Sequence, residues 1–85
     1  MDNRIFEGYC KKLVVGYHNS VHDGTMQIKE DDVFVVWLCK ILGNNKALCS
    51  TKVSDGRYYE ITYNGERGET YVDVYKKECN YVADV

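Results

Sequence analysis

His18 and His22 stand four residues apart, the spacing that sets two side chains on one face of a helix. Such a pair can hold a divalent metal. A zinc-protease helix also needs a glutamate directly after its first histidine; here that position is Asn19, so the H-E-x-x-H pattern fails. Spacing supplies no third ligand, although Asp23 is adjacent, and a polar helix end is the simpler account, so no metal site and no cofactor are assigned. Four cysteines lie at positions 10, 39, 49 and 79. None forms a C-x-x-C pair, which argues against a zinc ribbon or a thioredoxin-like redox site, and free thiols are expected. As nucleophiles they are poorly placed: Cys39 and Cys49 are expected in the core, Cys10 falls on a helix stripe, and only Cys79 is left for the surface. No catalytic residue is assigned and an enzyme is not expected. Gly65 and Gly68, in N-G-E-R-G-E, lie between two predicted strands, whereas a phosphate-cradling loop runs from a strand into a helix; they read as turn residues. Glu30-Asp31-Asp32 reads as a solvated guard ahead of a strand rather than a cation site.

The elements that must carry these residues are legible from periodicity. Residues 3 to 21 form one amphipathic helix, with Phe6, Tyr9, Cys10, Leu13, Tyr17 and Val21 recurring at three- and four-residue steps and Asp2 or Asn3 as cap. From Asp32 the period changes to two. Strands are predicted over Val33–Leu42, Lys46–Val53, Arg57–Tyr63 and Glu69–Lys77, separated by Gly43-Asn44-Asn45, Ser54-Asp55-Gly56 and Asn64 to Gly68. Such short turns imply an antiparallel meander. The fold class is α+β: an N-terminal helix packed on one face of a four-stranded antiparallel sheet, in the order αββββ, with residues 78 to 85 ambiguous between strand, fraying end and short helix. The 85 residues make one domain, 1–85, and 45% hydrophobic content excludes disorder. No apolar run reaches the roughly 20 residues that span a bilayer. Met1-Asp2-Asn3-Arg4 lacks the flank of a signal peptide, so a cytoplasmic location and no membrane are expected.

Register decides the two faces of the sheet. A three-residue loop, Gly43 to Asn45, sets Val35, Trp37, Cys39 and Ile41 beside Ala47, Cys49, Thr51 and Val53 under the helix, with Cys39 close to Cys49. A two-residue loop would bury lysine charges on that face, which is costly. The uncovered face then carries Phe34, Val36, Leu38, Leu48, Tyr58, Tyr71 and Tyr75, among Lys40, Ser50, Lys52, Glu60, Thr62 and Asp73. Scattered exposed apolar atoms are normal on a surface, but a contiguous patch rich in tyrosine is characteristic of interfaces. The expected function is non-enzymatic binding of a protein partner, or of a second copy to give a homodimer. The contact residues are Phe34, Val36, Leu38, Tyr58, Tyr71 and Tyr75. The alternatives are a nucleic-acid accessory protein using Lys40, Lys46, Lys52, Arg57, Lys76 and Lys77, and a small-ligand (nucleotide) binder suggested only by the aromatic surplus. A net charge of −2 argues against a dedicated nucleic-acid binder. A double-stranded-RNA-binding order would further need a basic terminal helix, where Lys76-Lys77 is followed at once by Glu78.

The stretches E-D-D-V-F-V-V-W-L-C-K, N-N-K-A-L-C-S-T, V-S-D-G-R-Y-Y-E-I-T-Y-N-G and Y-V-D-V-Y-K-K, with K-K-L-V-V-x-Y upstream, resemble a family of short proteins of unknown function encoded mainly by phages and prophages of Gram-positive bacteria. The resemblance covers most of the chain and is most specific from V-W-L-C-K to Y-Y-E-I-T-Y-N-G. It implies a viral or prophage origin and a host cytoplasm. It transfers no reaction, cofactor or catalytic residue.

Overall fold

The computed structural model describes residues 1–84 except Asp23, and of Thr25 the backbone alone. Helix α1 spans Asn3–Val21, opened by Asp2, whose carboxylate accepts the Arg4 N–H at 2.6 Å. Its buried row is Phe6, Cys10, Val14 and His18, each one turn from the next. The expected stripe is thus rotated: Tyr9 and Tyr17 lie at the margin and Val21 faces solvent. The tyrosines reach sideways because their rings are apolar and their tips polar. Tyr9 donates to Thr70 Oγ1 at 3.3 Å, and the Tyr17 ring meets Tyr59 edge-on at 5.9 Å.

Four strands follow: β1 Val33–Ile41, β2 Asn44–Thr51, β3 Arg57–Asn64 and β4 Glu69–Lys76, in one antiparallel sheet of order β1-β2-β3-β4. This is the expected αββββ meander. The acidic triplet Glu30–Asp32 forms a 3-10 turn before β1. Asp32 is spent there on architecture, its carboxylate accepting the Lys29 N–H and its carbonyl accepting the Lys52 N–H. The helix lies over β1 and β2 and closes a small core of Phe6, Cys10, Val14, Ile28, Val33, Ala47, Cys49, Tyr59 and Ile61. No described helix is long and apolar enough to cross a membrane.

The first hairpin corrects the expected register. Its loop has two residues, Leu42 and Gly43, because Ile41 pairs with Asn44. A β-bulge at Val36, between Val35 and Trp37, then reverses the alternation of β1. Before it, Val35 lies on the helix side as expected, though it pairs with Cys49, and Val33 pairs there with Thr51. Beyond it, Leu38 pairs with Ala47 and packs against the core, so it does not belong to the uncovered face. Trp37, Cys39 and Ile41 turn outward with Leu48, Lys46 and Asn44, so Cys39 does not approach Cys49. The objection to a two-residue loop falls because Lys40 sits at the rim of the sheet, exposed, with its charge in water. Cys49 instead meets Cys10 of the helix. Their hydrogen bond, reinforced by burial, pushes the Cys10 thiol far above its usual range. All four cysteines are free.

Beyond β4 the described residues form no helix or strand; Tyr81 and Val82 are 78% and 95% exposed, so nothing packs there to order a helix. The terminal helix that a double-stranded-RNA-binding order requires is therefore not formed among the described residues.

Candidate protein-binding face

The sheet face turned away from α1 is built from alternate residues of all four strands. On β1 these are Phe34, then, through the bulge, Val36 and Trp37, then Cys39 and Ile41. Leu48 follows on β2, Tyr58, Glu60 and Thr62 on β3, and Tyr71, Asp73 and Tyr75 on β4. The bulge is why β1 is apolar on this face along its whole length. A regular strand would have placed Leu38 and Lys40 where Trp37, Cys39 and Ile41 now stand. Phe34, Val36, Trp37, Ile41, Tyr71 and Tyr75 are 41–65% exposed, and Tyr58 and Leu48 are half-buried by their neighbours. Five of the six residues singled out from sequence lie on this face; Leu38 does not. Trp37, Ile41 and Leu42 were missed, because Val33 to Cys39 is apolar at every position and its parity carries no sign of the bulge.

The polar groups of the face restrain the aromatic ones. The Tyr75 hydroxyl donates to Glu60 Oε1 at 3.1 Å, and Glu60 Oε2 lies 3.2 Å from Lys46 Nζ. The Tyr71 hydroxyl donates to Glu69. Each of these bonds to a carboxylate raises its tyrosine above the ordinary value of 10. Rings pinned in this way lose less freedom when a partner covers them. The Lys46–Glu60 pair offsets one carboxylate at the centre of the face, while Asp73, opposite Glu60 on β4, adds an exposed negative charge. At the β1–β2 hairpin end, Cys39, Ile41, Leu42, Asn44, Lys46 and Thr62 line an open hollow of about 310 Å³. Leu42 forms its lip at φ 58°, a left-handed conformation that leucine adopts rarely, and is 92% exposed.

The basic residues weighed for nucleic acid do not form a stripe. Lys46 is paired, and the Arg57 guanidinium lies over the Tyr17 ring, 5.9 Å from its centroid. Lys40 is at one end of the strands, opposite Asn45, while Arg57 pairs with Lys76 at the other. Gly65 and Gly68 are turn residues, as expected, with Gly68 at φ 65°. The histidine pair is drawn into a different group. The rings of His18 and His22 stack at 3.9 Å, and Asp55, from the β2–β3 turn, brings Oδ2 to 3.9 Å from His18 Nδ1. Asp23, the carboxylate adjacent in sequence, lies outside the described residues. Only the fold brings Asp55 here; the Ser54-Asp55-Gly56 signal marks a turn but not its direction.

Residues 7–85 match a family of unknown function, DUF6275. The chain belongs to the DUF6275 family. No curated protein and no solved structure matches it. The match runs from Glu7 through all four strands, so the whole outer face of this DUF6275 chain, including the bulge, lies inside the family's domain.

Proposed function

We propose that this DUF6275 protein is a non-enzymatic protein-binding module whose contact surface is the outer face of the sheet, and that its first occupant is a second copy of the chain. The resemblance of the V-W-L-C-K and Y-Y-E-I-T-Y-N-G segments to phage and prophage proteins supports a role in the cytoplasm of a bacterial host. One observation carries the binding reading: Phe34, Val36, Trp37 and Ile41 on β1 and Tyr71 and Tyr75 on β4 are exposed apolar and aromatic side chains on one face of the sheet, on which no described element packs.

Several features favour a second copy. The molecule is flat, with extents of 44 × 36 × 19 Å, and a flat face meets its own image without needing a concave partner. A net charge of −2 gives little repulsion between copies. Four strands of about eight residues cover roughly 500 Å² in plan. Side-chain relief carries the accessible area toward the roughly 800 Å² per partner of a standard interface. Two-fold symmetry lets one patch serve both subunits.

Trp37, the single tryptophan, reports on the face directly. Sedimentation velocity over a concentration series is expected to show a dimer, with Trp37 emission shifting to the blue as the dimer forms. The Tyr71→Ala/Tyr75→Ala chain is expected to stay folded and monomeric. A wild-type chain that remains monomeric with unchanged Trp37 emission overturns the reading, as does a tyrosine variant that dimerises normally.

A further inference from the structure

We propose that His18, His22 and Asp55 form a binding site for one divalent first-row cation, best suited to zinc, joining the end of α1 to the β2–β3 turn. One donor atom from each residue lies within 4.8 Å of the others. The hydrogen bonds decide which nitrogens are free to donate to an ion. His18 Nε2 lies 2.8 Å from the Met26 carbonyl, and His22 Nδ1 lies 2.8 Å from the His18 carbonyl. A carbonyl only accepts, so each of those nitrogens carries the proton. In the neutral rings the lone pairs are then on His18 Nδ1 and His22 Nε2. A ring nitrogen donating to a backbone carbonyl while the other is left free is the arrangement that orients metal-binding imidazoles.

Asp55 is divided in the same manner. Its Oδ1 accepts the Arg57 N–H at 3.1 Å, which leaves Oδ2 facing His18. Both His18 Nδ1 and Asp55 Oδ2 are buried without a hydrogen-bond partner, and His18 is fully buried. Two unsatisfied acceptors facing each other across 3.9 Å are costly unless something positive lies between them. A proton on His18 Nδ1 would not make a hydrogen bond at that length. Zinc, with bonds near 2.0–2.2 Å in tetrahedral geometry, sets its donors about 3.4 Å apart, so the 3.9 Å gap between His18 and Asp55 closes by about half an ångström, while the His22 ring, stacked on His18, must swing for its lone pair to converge on the ion.

The surroundings are mixed in sign. The negative end of the α1 dipole favours a cation here. The Arg57 guanidinium opposes it, but is held against the Tyr17 ring. Arg57 Nη1 and the Tyr59 hydroxyl are also buried without partners. Two imidazoles and one carboxylate suit zinc among common divalent ions, and three protein donors leave a fourth position for water. His22 and Asp55 are only partly buried, so the ion has a route in.

The test uses the full chain carrying Cys79→Ser, which removes the exposed thiol, titrated with zinc chloride against a chromophoric chelator. A single equivalent is expected to bind. His22→Ala and Asp55→Asn are each expected to weaken it at least about tenfold. Both sites are partly exposed, and asparagine keeps the acceptor for Arg57, so the variants are expected to retain wild-type circular dichroism. On the same unsubstituted site, zinc is expected to shift the imidazole ¹⁵N resonances of His18 Nδ1 and His22 Nε2. This readout needs no variant to fold. Cobalt(II) in place of zinc is expected to show no thiolate-to-metal charge-transfer band. Absence of binding, unchanged imidazole resonances, undiminished affinity in both folded variants, or a thiolate band overturns the proposal.

Discussion

Three tyrosines have hydroxyls whose surroundings disfavour ionisation. Tyr75 is raised chiefly by its hydrogen bond to Glu60, Tyr71 by its bond to Glu69, and Tyr59 by burial, with the Asp55 charge adding to it. A group whose value is higher in the folded chain than in the unfolded one stabilises the fold while it stays protonated. That contribution is fully present below the ordinary tyrosine value near 10 and is lost as pH climbs through the raised folded values. The melting temperature is therefore expected to fall on the alkaline side, with part of the tyrosine absorbance titrating late. Tyr75→Phe is expected to flatten part of that fall. If all eight tyrosines titrate like the free amino acid while the melting temperature holds steady to about pH 12, these hydroxyls are not held as described. Sequence reading placed Tyr71 and Tyr75 on the outer face from alternation alone. It could not supply Glu60 and Glu69 as their partners, since cross-strand and same-strand hydroxyl bonds depend on rotamers that a pattern of residue types does not encode.

At the level of elements, α1 and the β2–β3 and β3–β4 pairings follow from the sequence because each has an unambiguous signal: one long helical period, and Gly- and Asn-bearing turns between alternating strands. The β1–β2 pairing was misread because a strand apolar at consecutive positions packs equally well in either register. The bulge settles the matter by letting both ends of β1 satisfy their partners. The two hairpin tips also touch. A Cβ on Gly65 would stand 2.2 Å from the Gly43 carbonyl oxygen, and the Gly65 N–H is held by Asn44 Oδ1 at 3.3 Å. Gly65→Ala must therefore push backbone against backbone. It is expected to cost about 1–3 kcal/mol in urea denaturation. A neutral result shows that the tips separate freely.

The whole molecule is one helix on one face of a sheet, and its small core makes native protection easy to read. Cys10 and Cys49 are fully buried, Cys39 is half-buried on the outer face, and Cys79 is exposed. A thiol reagent is expected to label Cys79 at once, Cys39 more slowly, and Cys10 and Cys49 only at the rate of unfolding. Rapid native labelling of Cys10 shows that α1 lifts from the sheet without global unfolding. Labelling of Cys39 is also expected to slow as protein concentration rises, since a second copy would cover it. The histidine group is a property of this level. His18 lies in α1 and His22 is its C-terminal cap, but Asp55 reaches them only because β1 and β2 return the chain past the helix end.

The same bulge has a further consequence at the margin of the sheet. β1 and β4 are edge strands, and an unpaired edge invites further strands to add without limit. At Val36 the ladder of β1 is interrupted, so an incoming strand cannot match its hydrogen bonds along the full length. Pairing through faces closes after two chains, whereas pairing through edges propagates into fibres. The irregularity that lends β1 its apolar outer surface thus also blunts that edge of the sheet against the addition of a further strand.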